Sequence, residues 1–164
     1  LVELVRSGSA EGKANAAAAL SNLAANNAEN KVTIASAGAI PPLVELVRSG
    51  SAEGKAKAAT ALRILATNNA ENQVTIASAG AIPPLVELVR SDSAEGKAKA
   101  AAALGNLAAN AENQVTIASA GAIPPLVELV HSGSAEGKAN AATALSNLAA
   151  NNAENQATIA SAGV

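Results

Sequence analysis

One string of residues returns through this chain almost letter for letter, and nothing else constrains the fold as tightly. "SAGAIPPLVELVRSGSAEGKA" runs from Ser36 to Ala56 and recurs with single changes from Ser78 to Ala98 and from Ser119 to Ala139. Its tail, "LVELVRSGSAEGKA", opens the chain at Leu1. Gly38, Gly80 and Gly121 mark one point of the string, 42 and then 41 residues apart. The lost residue is local: "NNAEN" at Asn68–Asn72 becomes "NAEN" at Asn110–Asn113. Copies of this length cannot each bury an apolar side alone. They bury it against their neighbours, which makes a linear array.

Each period reads as three helices. The first is short, "AENKVTIASA" over Ala28–Ala37, with Asn27 as N-cap and Gly38 as the terminating glycine of positive φ. The second follows "AIPP", where Pro41 or Pro42 fits a first turn that needs no N–H. Ile40, placed before a proline, is biased away from helix, so the turn is sharp. "LVELV" then sets Leu43, Val44 and Val47 on one side and leaves Glu45 and Arg48 wet. The third helix is the longest, Ala10–Asn26 in the first unit, with Ser9 as N-cap and Glu11 in the first turn, where a carboxylate suits the dipole. Gly12 in that turn has no rationale in the sequence. Leu20 and Leu23, with Ala16, Ala17 and Ala24, form its buried stripe. No sustained period-two alternation argues for a strand. The core must be built from Ala, Leu, Val and Ile, because Phe, Tyr, Trp, Met and Cys are absent.

Composition also narrows the function. Net charge is −2, and no aromatic can stack on a base, so nucleic acid is not an expected partner. No apolar run reaches the roughly 20 residues of a membrane span, no membrane partner is expected, and Leu1 opens no signal peptide. No ligand cluster or phosphate loop points to a metal or cofactor. The one histidine, His131, holds a slot filled elsewhere by Arg6, Arg48 and Arg90, and reads as a solvated surface residue. The carboxylates recur once per repeat at equivalent places rather than as an acid/base pair in unlike environments.

The copies differ mainly on the third helix. The columns are Asn15, Lys57, Lys99, Asn140; Ala18, Thr60, Ala102, Thr143; Ser21, Arg63, Gly105, Ser146; Asn22, Ile64, Asn106, Asn147; and Ala25, Thr67, Ala109, Ala150. Steps such as 15, 18, 22 and 25 trace one helical face. Glu11, Glu53, Glu95 and Glu136 extend it at the N-terminal end. Variation on such a stripe is either a ligand surface or drift where packing does not object.

Period, glycine, proline pair and helix order together resemble the armadillo repeat over the whole chain. "ENKVTIASAGAIPPLVELVRSGS" is most similar to the armadillo arrays of plant U-box proteins. Four near-identical copies also look like a consensus design or a recent duplication. The resemblance implies an all-α, right-handed α-solenoid of about four repeats whose third helices line a concave groove. In importin-α and β-catenin relatives an asparagine ladder in that groove bonds the backbone of an extended peptide. Asn22, Asn106 and Asn147 match the ladder, while Ile64 interrupts it beside Arg63. An amide offers a peptide unit both donor and acceptor. The remaining candidates for peptide contact are Asn15, Lys57, Lys99, Asn140, Arg63 and the four glutamates. The tryptophans that slot lysine stems in importin-α are Ala18, Thr60, Ala102 and Thr143 here, which argues against a nuclear-localisation signal as ligand. Three functions stay open: a non-enzymatic peptide-binding scaffold, a designed repeat protein without native ligand, and a substrate-recognition array of a ubiquitin-ligase-like protein. The resemblance implies an intracellular setting, cytoplasmic or nuclear.

The chain divides as 1–37, lacking a first helix, then 38–79, 80–120 and 121–162, cut between first and second helices. Leu1, Leu4 and Val5 lack the helix that should cover them, and the helix over Ala153–Ala162 lacks its two companions. A head-to-tail homo-oligomer is the expected remedy.

Overall fold

The computed structural model describes all residues 1–164 as twelve α-helices without a strand. The second and third helices of the first unit are α1 (Val2–Ser7) and α2 (Ala10–Ala24). Three full triplets follow: α3 (Ala28–Ser36), α4 (Ile40–Ser49) and α5 (Ala52–Ala66); α6 (Ala70–Ser78), α7 (Ile82–Val89) and α8 (Ala94–Leu107); α9 (Ala111–Ser119), α10 (Ile123–Ser132) and α11 (Ala135–Ala149). A last first-type helix, α12 (Ala153–Ser161), ends the array. The third helices α2, α5, α8 and α11 pack successively on one another and carry the closest inter-repeat contact. A single apolar cluster runs through the stack from Val5 to Ile159. No single helix is long and apolar enough to cross a membrane.

The breaks between helices are chemical. Gly38, Gly80 and Gly121 take φ of 77°, 80° and 77°, angles that an L side chain resists. The reversal at Gly121 sets α9 and α10 at 83°. Ile40 departs from its expected bias and is the first residue of α4, 1% exposed, with Ala39 already at helical angles. The glycine alone makes the turn, so Ile40 is free to start the helix and bury its side chain. Asn27, Asn69, Asn110 and Asn152 cap the first-type helices through Oδ1, each accepting the N–H three residues on at 2.8–3.1 Å.

The third helix stops at Ala24 rather than Asn26, because Asn26 takes a left-handed φ of 54°. Asn68 and Asn151 do the same at 53° and 55°. The shortened loop of the third repeat has no such asparagine, and α8 ends at Leu107.

Gly12 now has its reason. A Cβ there would lie 3.3 Å from Leu4 Cδ1 and 3.2 Å from the capping Ser9 Oγ. At Gly54, Gly96 and Gly137 the leucine of the preceding helix crowds the same point at 3.1, 2.9 and 3.2 Å. The glycine lets a leucine lie across the helix start, buried at Leu46, Leu88 and Leu129 and open to solvent at Leu4. One substitution between repeats tests the neighbouring loop. A Cβ on Gly50 would meet the Leu46 carbonyl at 2.5 Å. Asp92 fills that position in the next unit, and there α7 ends at Val89, two residues early.

Two expectations about burial fail. Leu23 is 49% exposed, although its equivalents Leu65, Leu107 and Leu148 are at most 1% exposed. Its equivalents lie inside the stack, whereas Leu23 sits on the end unit, where no other third helix packs on its outer side. Ser21 and Gly105 do not line an open face: Ser21 is buried and bonds the Ala17 carbonyl at 3.0 Å. A Cβ on Gly105 would stand 3.3 Å from Ala144 Cα in the next third helix. Their column lies at the crossing between third helices, where small residues permit close approach.

Candidate functional site: the face of the third helices

The exposed side of the α2, α5, α8 and α11 stack carries most of the variable residues. Asn15 and Asn22 are exposed on α2. Lys57, Thr60, Arg63, Ile64 and Thr67 are half-buried on α5, as are Lys99, Ala102 and Asn106 on α8 and Asn140 and Asn147 on α11. Glu11, Glu53, Glu95 and Glu136 are exposed in the first turns. All twelve expected site residues are exposed or half-buried on the third helices, though not in one state.

The asparagines are already engaged. Asn106 Nδ2 donates to the Arg63 carbonyl at 3.1 Å and to Thr67 Oγ1 at 2.7 Å. Both its N–H groups are used, so Asn106 presents only Oδ1 as an acceptor to anything lying on the face. Asn147 donates to the Gly105 carbonyl at 2.9 Å and Asn140 to the Ala98 carbonyl at 3.0 Å. Each of these bonds ties one third helix to the one before it. The amides are thus held in place before any ligand arrives, which lowers the entropy lost on binding. Asn22, with no third helix before it, makes no such bond and is free on both sides.

The charges differ as well. Lys99 Nζ sits 2.6 Å from Glu136 Oε1, a pair that spans two repeats. The equivalent pair of Lys57 and Glu95 is not closed, and Arg63 contributes only its carbonyl to a hydrogen bond. A depression of about 220 Å³ opens beside Asn147, lined by Gln114, Ala150 and Asn151 among others.

Larger furrows lie elsewhere, between successive second helices. The first, of about 390 Å³, is bounded by Arg6, Lys13, Pro41, Pro42 and Glu45, and its sister by Arg48, Lys55, Pro83, Pro84 and Glu87. Their lining scarcely changes from repeat to repeat. Glu45, on this outer surface, has its carboxyl held below the ordinary carboxylate value by hydrogen bonds from Ser49 and then Arg48. Its side chain is open to solvent, and the shift reflects these local partners rather than an enclosed reactive site. No three His, Cys, Asp or Glu side chains converge as metal ligands. His131 is exposed as expected but not free: its Nε2 lies 3.1 Å from the Gly163 carbonyl. Arg90 reaches Gly121 in the same way at 3.0 Å. In these two units the slot clips the end of a second helix to the next glycine turn, whereas Arg6 and Arg48 bond only Glu3 and Glu45 on their own helices.

One network escaped the sequence reading. Asn72 is 3% exposed and donates to the Leu65 carbonyl at 3.0 Å and to the Lys31 carbonyl at 3.4 Å. Asn113 repeats this with Leu107 and Gln73. Lys31, 8% exposed, puts Nζ 2.7 Å from the Thr67 carbonyl at the end of α5, where a helix dipole favours a cation. Gln73 replaces it one level on and donates to the Ala66 carbonyl, and Gln114, two levels on, reaches the carbonyls of Ala108, Asn147 and Ala150. The signal was the invariant "AEN" motif, which reads on the surface as plain polar sequence.

The Armadillo/beta-catenin-like repeat profile matches residues 27–67, 69–109 and 110–150, most of the chain. The chain belongs to the armadillo repeat family. It is a right-handed solenoid of three-helix armadillo units. Several solved structures that it resembles are engineered proteins. A designed armadillo repeat protein superposes with a TM-score of 0.92 at 39% identity, over 99% of this chain and 68% of that one. A designed armadillo protein in complex with the peptide (KR)4 gives 0.90 at 32% identity, over 99% and 68%. Computationally designed armadillo proteins for modular peptide recognition give 0.89 at 35%, over 99% and 68%. The armadillo array therefore spans about two thirds of the length of these relatives. No curated protein matches the chain in sequence.

Proposed function

We propose that this armadillo array is a non-enzymatic scaffold that binds an extended peptide across its third helices. The carrying observation is the row formed by Asn22, Asn106 and Asn147, with Asn106 and Asn147 fixed by inter-helix bonds so that their Oδ1 atoms are available to peptide N–H groups. Designed relatives, one set for modular peptide recognition and another in complex with the peptide (KR)4, support the reading. Glu11, Glu53, Glu95 and Glu136 beside Lys57, Lys99 and Arg63 suit a segment of mixed charge. The likeness to engineered proteins and the near-identity of the copies favour a designed or consensus-derived array, and the matches lend no support to the ubiquitin-ligase reading. The test is a pull-down from a twelve-residue peptide library with the chain and its Asn22→Ala/Asn106→Ala/Asn147→Ala variant. At about 1 kcal/mol per bond the triple variant loses affinity on the order of a hundredfold. Equal affinity in a variant that keeps its circular dichroism would overturn the proposal.

A second reading concerns self-association of the 164-residue chain. Leu1, Leu4 and Leu23 are 53%, 43% and 49% exposed, whereas Leu43, Leu46 and Leu65 at the equivalent interior points are 0%, 4% and 1% exposed. At the other end Ala142 is exposed where Ala59 and Ala101 are buried. The two surfaces correspond to the two sides of an interior joint, which supports head-to-tail stacking of a second copy. Association costs of about 4–15 kcal/mol offset most of the apolar gain, giving weak assembly. Sedimentation velocity over a hundredfold concentration range should show a rising mean mass, and a constant monomer would refute it.

A further inference from the structure

The second repeat breaks the pattern of its sisters on the third-helix face, and its departures act together. Where α2 and α11 carry Asn15, the buried Ser21, Asn22 and Asn140, Ser146, Asn147 in these columns, helix α5 carries Lys57, Arg63 and Ile64. Ile64 is half-buried against the core cluster and offers an aliphatic surface where the other units offer an amide. Arg63 sits in the crossing column beside it. Its guanidinium takes part in no hydrogen bond or ion pair, although its carbonyl is occupied by Asn106 and by Thr67 Oγ1, at 3.1 and 2.8 Å. Thr67 is in turn an acceptor for Asn106 at 2.7 Å, so the backbone around Arg63 is fixed while its charged end is not. Lys99, the other cation column member on α8, is neutralised by Glu136. Lys57 is weighed against Glu53, one turn before it, and Glu95 on α8, neither of which it contacts. Arg63 has no acidic residue in the columns around it. With Lys57, it is one of the two cations of α5 on this face that no carboxylate pairs, and it carries the guanidinium of this face.

From this we infer that α5 sets the specificity of the groove: the bound segment carries a carboxylate side chain against Arg63, next to an aliphatic side chain on Ile64. The inference rests on the peptide-binding reading above. A guanidinium offers a carboxylate two parallel N–H bonds, a match that a lysine or glutamine on the peptide cannot make. Lys57, six residues away and therefore roughly 9 Å along the helix, adds attraction at a range that salt largely screens. A uniformly basic segment would meet Arg63 and Lys57 as like charges, and a uniformly acidic one would meet Glu11, Glu53 and Glu95. The segment that fits has its acidic residue in the middle.

The experiment selects a displayed library of random twelve-residue peptides on the immobilised chain. One enriched peptide and its central Glu→Gln form are then titrated by fluorescence anisotropy against the chain, Arg63→Ser and Arg63→Gln. Serine occupies this column in the first and last units, and glutamine keeps the stem, so the fold has two independent safeguards. The expected result is an Asp or Glu fixed at one position beside Leu, Ile or Val. On the parent chain the Glu→Gln peptide should bind about tenfold more weakly at low salt, and on either variant less than twofold more weakly. Enriched peptides without an acidic position, or a Glu→Gln loss that is the same on all three proteins, would overturn this inference and leave the peptide-binding reading standing. No enrichment over blank support would remove both.

Discussion

Glycine has three separate jobs in this chain, and substitution should tell them apart. Gly80 has a φ of 80° and open space around the Cβ it lacks. Its requirement is purely conformational. Gly80→Ala should cost about 1–2 kcal/mol, the strain of a left-handed L residue, and the branched Gly80→Val more. Gly50 has an ordinary extended φ of −73°, yet its missing Cβ would sit 2.5 Å from a carbonyl oxygen and 2.6 Å from Leu46 Cδ1. Gly50→Asp should therefore shorten α4 as Asp92 accompanies a shortened α7, seen as a loss of helical ellipticity and of amide protection at Arg48 and Ser49. Gly54 avoids crowding Leu46 at the start of α5. Only the first of these uses was readable in the sequence, because a helix-ending glycine has a local signature. The other two depend on where a leucine from another turn or helix comes to lie. Urea denaturation of Gly80→Ala that shows no loss of stability would contradict the turn geometry.

At the scale of helices, the order, the caps at Ser9 and Asn27 and the buried side of "LVELV" followed from spacing and turn chemistry. What did not follow was polar glue. Asn72 and Asn113 look like surface residues of a short helix, but they satisfy carbonyls at the ends of third helices from inside the stack. Sequence periodicity reports which side of a helix is apolar. It does not report that a polar residue is buried between one partner 6 or 7 residues back and another 40 or 41 residues back. The consequence is graded by position. Asn72→Ala removes donors from two buried carbonyls and should cost about 2–3 kcal/mol. Asn30 is only half-buried and bonds the Leu23 carbonyl alone, so Asn30→Ala should cost about 1 kcal/mol. Equal losses in chemical denaturation would show that burial of the network is not what matters. Leu23 was misread for the converse reason: its period puts it on the apolar side, but on the end unit no other third helix packs on its outer side.

The whole molecule is a row of joints that differ little, so stability should fall off toward the ends. Ile76 and Ile117 are fully buried in α6 and α9, whereas Ile159 in α12 is 9% exposed with neighbours on one side only. Amides of α12 should exchange with solvent well before those of α5 and α8, as hydrogen exchange on the 164-residue chain would show. The array was legible from its period alone, and so was the face that varies. The state of that face was not: inter-helix bonds by Asn106, Asn140 and Asn147, the Lys99–Glu136 pair and the unpaired Arg63 depend on rotamers that no column of letters records. The central claim is that this face, and not the outer furrows at Lys13 and Lys55, receives an extended peptide. Chemical-shift mapping of the ¹⁵N-labelled chain with a library-selected twelve-residue peptide tests it directly. The prediction is that saturable shifts cluster at Asn22, Lys57, Ile64, Asn106 and Asn147 and spare the second helices. Shifts centred on α4, α7 and their proline turns would contradict it.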